Sequence, residues 1–327
     1  MMPTAQRRLL FLLLALLSAA SVLAAAAIGS VSMGWEQWWA ALTGPASESG
    51  ELVWRLRLPR AAAAWTVGAL LSLSGCLMQV LLRNPLADPY ILGVSGGASF
   101  AALCGMSAGV AAALSPALAW AGALVSILIV FGLARGEGPW SGTRLLLTGV
   151  VTASGWAALI SLLLTLGPDG SLRGMLFWLL GDLSYAHLPW WALFILIVIF
   201  IVCFGMARSL NVLAMGETTA RLLGEPTRKL LWAIYLLASV LTATAVAIAG
   251  NIGFVGLIVP HLMRLLVGSD HRVLLPASAM FGGLFLVFSD TLARTVLAPR
   301  QLPVGVVTAL LGVPLFLLLL NRARVKQ

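Results

Sequence analysis

Long apolar runs separated by short polar joints recur along the whole chain, near 9–29, 58–82, 91–113, 114–134, 143–167, 189–207, 230–249, 250–268, 273–293 and 302–320. A helix of about 20 apolar residues crosses ~30 Å of hydrocarbon. Lipid supplies no water to backbone N–H and C=O groups, so runs of this kind must be helical. The pattern therefore predicts an all-α polytopic membrane protein with about ten transmembrane helices, forming one domain over 1–327. Arg7-Arg8 and the apolar stretch from Leu9 to Ile28 mimic a secretory leader. That stretch is long enough to span, and more spans follow, so it reads as an uncleaved first helix. Ten spans suggest two units of five, and an odd number per unit inverts the second against the first.

Two joints are more than turns. Segment 168–188 is apolar in its middle but too short and interrupted to cross, which fits a half-inserted helix beside a cavity. Segment 208–229 carries four cations and two glutamates. Within it, Thr218 to Leu223 predicts a short helix, with Gly224 as its C-terminal cap and Pro226 as a stop. Such a helix lying along the membrane would serve as a platform for a partner. Asn84-Pro85 and Asp88-Pro89 predict a bend after the second run.

Composition agrees with this pattern. The 327 residues are 61% hydrophobic and 9% charged, with mean hydropathy +1.02, whereas soluble domains carry about 25% charged residues. The net charge of +9 is dispersed, and no basic stripe with interleaved aromatics suggests nucleic acid. With the N-terminus inside and ten spans, fourteen of the twenty cations fall on the inner side and six outside: Arg55, Arg57, Arg60, Arg173, Arg294 and Arg300. That bias places both termini in the cytoplasm. Cys76, Cys104 and Cys203 lie within apolar runs and read as small hydrophobes.

Candidate chemistry is sparse. The three histidines are scattered and supply no metal site. No G-x-x-x-x-G-K-[ST] motif cradles a nucleotide, so the chain is no ATPase by itself. An ion-coupled secondary transporter would want carboxylates within the membrane. Of the eleven acids, nearly all fall in predicted loops, Asp290 being the exception. Asp290 stands four residues before Arg294, where it can neutralise that cation along one helix face.

Four blocks resemble the iron-chelate and vitamin B12 permease family of ABC importers. They are LRLPRAAAAWTVGALLSLSGCLMQVLLRNPLADPYILGVSGGA at 56–98, AMGETTARLLGEP at 214–226, GNIGFVGLIVPHLMRLLVGSDHRVLL at 250–275 and SDTLARTVLAPRQLPVGVVTALLGVP at 289–314. Asn251 departs from the small residue or proline usual at its position. The resemblance implies a type II ABC importer permease of the bacterial inner membrane, working as a homodimer. It implies two cytosolic ATPase subunits, which carry the ATP and Mg, and a periplasmic substrate-binding protein; no cofactor is bound by this chain.

The resemblance also implies roles for particular residues. Gly216, Glu217, Thr218, Ala220, Arg221, Leu223 and Gly224 would contact the ATPase. Arg57 and Arg294, with Arg60, would dock the binding protein through planar contacts to carboxylates. Gly142-Thr143, before Arg144, would form the cytoplasmic gate, and Trp178, Asp182 and Tyr185, near His187, would line the pathway entrance. Arg264 near the end of the eighth run reads equally as a coupling contact or an interface anchor. The carried solute would be vitamin B12, a ferric siderophore or haem, and the matches at RLPR and SDHRVLLP lean towards the B12 branch.

Overall fold

The computed structural model describes residues 4–29, 33–43, 47–134, 142–184 and 190–324, and among these residues it is helical with no strand. Helix α1 (Thr4–Ala27) is followed by the short α2 (Trp35–Thr43) and α3 (Glu48–Glu51). A π-helical turn, Leu52–Arg57, joins α3 to α4 (Leu58–Leu81). Then come α5 (Val94–Ser107), α6 (Ser115–Ala134), α7 (Gly142–Leu166), α8 (Asp169–Leu179) and α9 (Trp190–Gly205). The remainder is α10 (Ala207–Ala214), α11 (Glu217–Leu222), α12 (Thr227–Ala249), α13 (Val255–Val267), α14 (His271–Thr295) and α15 (Val304–Arg324).

Among the described residues six stretches are long and apolar enough to cross a membrane: 6–27, 49–81, 115–134, 142–166, 227–249 and 271–295. Helices α9 and α10 pass the same test together but meet at a 61° bend, and α5, α13 and residues 304–319 of α15 are shorter apolar helices. The ten runs all correspond to helices, with two corrections. The third and eighth runs are helical over only 14 and 13 residues. Gly93 (φ 71°) caps a 3-10 turn, Pro89–Leu92, ahead of α5. The glycines and Asn251 at 250–253 form a non-helical approach to α13, in which Gly250 takes a positive φ of 67°. Apolar composition carries no information on whether such a backbone is wound.

The second run also begins earlier than its apolar pattern indicates. Pro59 lacks a donor and its ring would strike the carbonyl one turn back. The wider π turn absorbs this, and the Leu58 N–H bonds the Val53 carbonyl instead.

Helix α4 is the axis of the bundle, and every residue from Thr66 to Leu81 is buried. Helices α14, α12, α13 and α1 pack around it, while α5, α6 and α7 form a second group joined through α12. Small residues let the backbones meet where lipid supplies no hydrophobic drive. A Cβ on Gly75 would fall on the carbonyl oxygen of Gly256, and one on Gly68 on that of Gly282. Buried hydroxyls stitch the helices further. Ser74 Oγ lies 2.8 Å from both the Ala238 carbonyl and Thr242 Oγ1, and the Tyr235 hydroxyl donates to the Ile127 carbonyl at 3.2 Å. By contrast, α7 buries only Leu145 and Gly149, leaving Val151 70% and Leu166 76% exposed.

Candidate functional site: the two ends of the bundle

At one end, α9 bends into α10, which buries Ala207, Leu210 and Leu213 on one face. Helix α11 follows, running Glu217–Leu222 rather than 218–223. Gly216 (φ 118°) takes a conformation closed to other residues and starts the helix one position early. Gly224 (φ 82°) ends it: its N–H bonds the Arg221 carbonyl, and the Glu225 N–H bonds that of Ala220, each at 3.0 Å. Glu217 in the first turn and Arg221 in the last pair across one turn, each complementing the helix dipole. Ala220 is buried beneath them, and Arg221 Nε also donates to Thr227 Oγ1 at 3.3 Å. Above this anchored base, Met215, Leu222 and Leu223 are 70%, 84% and 63% exposed, and Thr218 is exposed beside them.

The gate residues meet this platform. Gly142 and Thr143, at the start of α7, line a cavity of about 220 Å³ together with Leu81, Arg83, Leu213 and Glu217. Residues far apart in sequence are thus gathered around the first turn of α11.

A polar clasp ties α10 to α14. Asn211 Nδ2 donates to Asp270 Oδ1 at 2.8 Å, while Asn211 Oδ1 faces both the backbone N–H (2.9 Å) and Nδ1 (2.6 Å) of His271. An amide oxygen only accepts, so the imidazole proton sits on Nδ1. Asp270 caps α14 through the Arg272 N–H. Burial would raise its carboxyl, but the Asn211 and Arg272 donors and the charges of Arg272 and Arg7 outweigh that and hold it below the usual carboxylate range. Asn211→Ala should therefore leave Asp270 and His271 short of partners and lower the unfolding midpoint, at about 1–3 kcal/mol. Thermal unfolding in detergent checks this; an unchanged midpoint would show the clasp to be idle.

At the opposite end, Asp290 (1% exposed) lies between two guanidiniums. Arg60 Nη2 is 2.8 Å from Oδ1, its Nε is 3.1 Å from both carboxylate oxygens, and Arg294 Nε is 3.1 Å from Oδ2. Arg60 Nη1 reaches Gln301 Oε1 at 3.1 Å, and Ser184 Oγ donates to the same oxygen. The docking arginines are less available than their sequence positions imply. Arg57 and Arg294 are only 5% and 4% exposed. Arg57 Nη1 donates to the Ala27 carbonyl at 2.8 Å, and Arg294 Nη2 to that of Ala25 at 3.2 Å. The last carbonyls of α1 lack intrahelical partners, and a cation there also suits the dipole. Arg60 alone touches the exposed Ser184–Gln301 edge.

The entrance residues divide. Tyr185 and His187 lie outside the described residues. Asp182 starts a turn, accepting from the Ser184 N–H at 2.7 Å, and its N–H donates to the Ala249 carbonyl at 2.9 Å. The N–H groups of Val304 and Gly305 bond the carbonyls of Gly181 and Leu180. The end of α8 thereby joins the end of α12 to the start of α15. An apolar cavity of about 640 Å³ opens beside this junction, lined by Leu179, Leu180, Phe254, Val306, Leu310 and Val313 among others. Trp178 and Asp182 are not among its lining residues; their neighbours Leu179 and Leu180 are.

Sequence reasoning missed Asn211, whose partners lie about 60 positions on, and the link from Arg60 to Asp290. Among the described residues no three His, Cys, Asp or Glu side chains converge to hold a metal.

A helical membrane bundle with a bent platform at one end and an apolar cavity near the other defines a multi-pass transport permease. The chain matches the FecCD transport family over residues 13–322, and it belongs to that family. It is 43% identical over 282 residues to the ABC transporter permease protein YvrB of Bacillus subtilis (strain 168), covering 83% of this chain and 79% of that one. It is 42% identical over 288 residues to the vitamin B12 import system permease protein BtuC of Salmonella typhi, covering 85% and 86%. A solved inward-facing structure of a metal-chelate type ABC transporter superposes with a TM-score of 0.83 at 30% identity, covering 96% of this chain and 99% of that one. The chain is an ABC transporter permease, a transport subunit rather than an enzyme.

Proposed function

We propose that this chain is the permease of an ATP-driven importer that moves a metal chelate, of the vitamin B12, siderophore or haem class, from periplasm to cytoplasm across the bacterial inner membrane. Two copies enclose the path, two cytosolic ATPases supply the energy, and a periplasmic binding protein delivers the solute. Both termini lie in the cytoplasm. The kinship with vitamin B12 permeases and the metal-chelate type transporter supports the solute class. The observation that carries the mechanism is the cavity shared by Gly142, Thr143 and Glu217. A push on α11 reaches the gate pair across one shell of side chains. No covalent chemistry falls to this chain. The two conformations are driven apart only by partners that bind them unequally, and Leu222, Leu223 and Met215 offer the apolar grip. Asp290 is poorly suited to relay ions, since both of its carboxylate oxygens are already engaged by Arg60 and Arg294.

At the opposite end, docking of the binding protein engages Arg60 first. It then draws Arg57 and Arg294 from the carbonyls of α1 towards acidic side chains.

Uptake of labelled vitamin B12 and of a ferric siderophore by cells, with and without a co-expressed ATPase, tests the reading. Uptake independent of the ATPase would end it. A cysteine at Thr219 should react with an impermeant thiol reagent only from the cytoplasmic face. Leu222→Asp alters a residue that is 84% exposed and supports nothing beneath it. The variant should fold with an unchanged unfolding midpoint yet lose ATPase co-purification at least tenfold, because a charge replaces an apolar anchor at the partner's surface. Retained co-purification would move the docking surface elsewhere.

A further inference from the structure

Beside the gate cavity lies a second one, of about 240 Å³, between α4, α10 and α13. Its lining is Gln79, Val80, Arg83, Pro85, Ala214 and Arg264. It holds two cations and no carboxylate, and among the described residues neither arginine belongs to an ion pair. Arg264 Nη2 donates to Gln79 Oε1 at 3.3 Å, and Gln79 Nε2 donates onward to the Leu257 carbonyl at 3.2 Å. That chain fixes the guanidinium, yet its Nε is buried without a partner. Arg264 is half-buried, and a cation partly withdrawn from water beside a second cation gains from an anion at its unpartnered Nε.

Arg83 supports the same reading. It occupies a left-handed turn (φ 49°) just after α4, a conformation that costs a residue with a side chain and that glycine would take freely. The strain places a second guanidinium at the mouth of the cavity. Both arginines stand at helix ends: Arg264 in the last turn of α13, whose capping Gly268 N–H bonds the Arg264 carbonyl, and Arg83 two residues past α4. Next to Arg264, Leu265 and Leu266 are 61% and 51% exposed. A cationic cavity between helices with an apolar flank is the arrangement that takes an anionic lipid, its headgroup in the cavity and its chains on the leucines.

We propose that this cavity binds the phosphate of an anionic phospholipid from the leaflet facing α11. The proposal requires only that α4 and α13 end at a headgroup layer, and it stands apart from the identity of the carried solute. Its lipid-retention measurement uses the permease alone, so it can fail without touching the transport reading, and the reverse also holds.

Purified permease is reconstituted in nanodiscs of phosphatidylcholine with phosphatidylglycerol, and the lipid retained after delipidation is read by native mass spectrometry. The wild type should hold phosphatidylglycerol with a preference of about thirtyfold, the effect of two surface cations acting together. Arg264→Gln and Arg83→Gln should each lower that preference by about fivefold. Arg83 is exposed, so its variant keeps the test valid if Arg264→Gln folds poorly. Equal retention by wild type and variants would overturn the proposal. So would complete displacement of the lipid preference by inorganic phosphate, which would make free phosphate the ligand. Loss of ATPase affinity in the variants with unchanged lipid retention would also overturn it, assigning the cavity to an acidic side chain of the ATPase.

Discussion

Asp290→Asn should cost this permease about 3–5 kcal/mol, the penalty for removing one partner of a buried ion pair and stranding the other. The loss is large because a single carboxylate serves two guanidiniums, both almost wholly withdrawn from water. Asparagine keeps the shape and two polar atoms, so the effect reports charge rather than volume. Thermal unfolding in detergent should show a lowered midpoint and poor recovery of folded protein. The double variant Asp290→Asn with Arg294→Gln should regain part of the loss, since one stranded cation is removed with the carboxylate. A single variant as stable as the wild type would mean that water reaches the cluster freely.

Gly75→Leu should prevent assembly of the bundle. The α carbon of Gly75 lies against the Gly256 carbonyl, so the first added atom already collides with backbone rather than with a side chain that could turn away. Even Gly75→Ala should cost about 1–3 kcal/mol as an overpacked site. Helix α13 would be pushed off α4, carrying with it Phe254 and the wall of the apolar cavity. Size-exclusion profiles should show aggregated Gly75→Leu protein and a destabilised but monodisperse alanine variant. Gly155→Ala on α7 is the control, because no atom lies within 4 Å of the added methyl. Its profile should match the wild type, with alanine the better helix former. If Gly75→Leu behaves like the control, α4 and α13 do not touch as described.

The apolar runs revealed where the long helices lie because length and hydropathy alone distinguish a crossing helix from a soluble one. Helix α12, expected over 230–249, runs Thr227–Ala249, and α14, expected over 273–293, runs His271–Thr295. Other features have no such signature. Helix α2 is only nine residues long and begins beside Glu36 and Gln37, so no long apolar run marks it. The π turn before Pro59 depends on a backbone rearrangement that composition does not encode. The pairing of Asp290 with Arg294 was legible at four-residue spacing, but Arg60 comes from 230 positions away, and only the packed fold brings it there. The same holds for Asn211 and His271. Of the platform, Gly224 was legible as a helix cap and Pro226 as a stop, whereas Gly216 as the helix start and the Glu217–Arg221 pair emerged only from the packed structure. The exposure of Leu222 was not legible, because apolar residues near a membrane ordinarily read as lipid-facing.

The enclosure of α4 also constrains how the protein is made. From Thr66 onward this helix touches only other parts of the chain, and it carries serines, glycines and Gln79 where a lipid-facing helix would carry leucine. Yet it leaves the ribosome long before α12, α13 and α14, the neighbours that will surround it. During synthesis it must therefore wait, either beside the insertion machinery or in direct contact with acyl chains. Its serine hydroxyls can meanwhile turn back onto carbonyls of their own helix. Biogenesis, rather than the finished structure, is then the stage at which polar substitutions in α4 do the most harm.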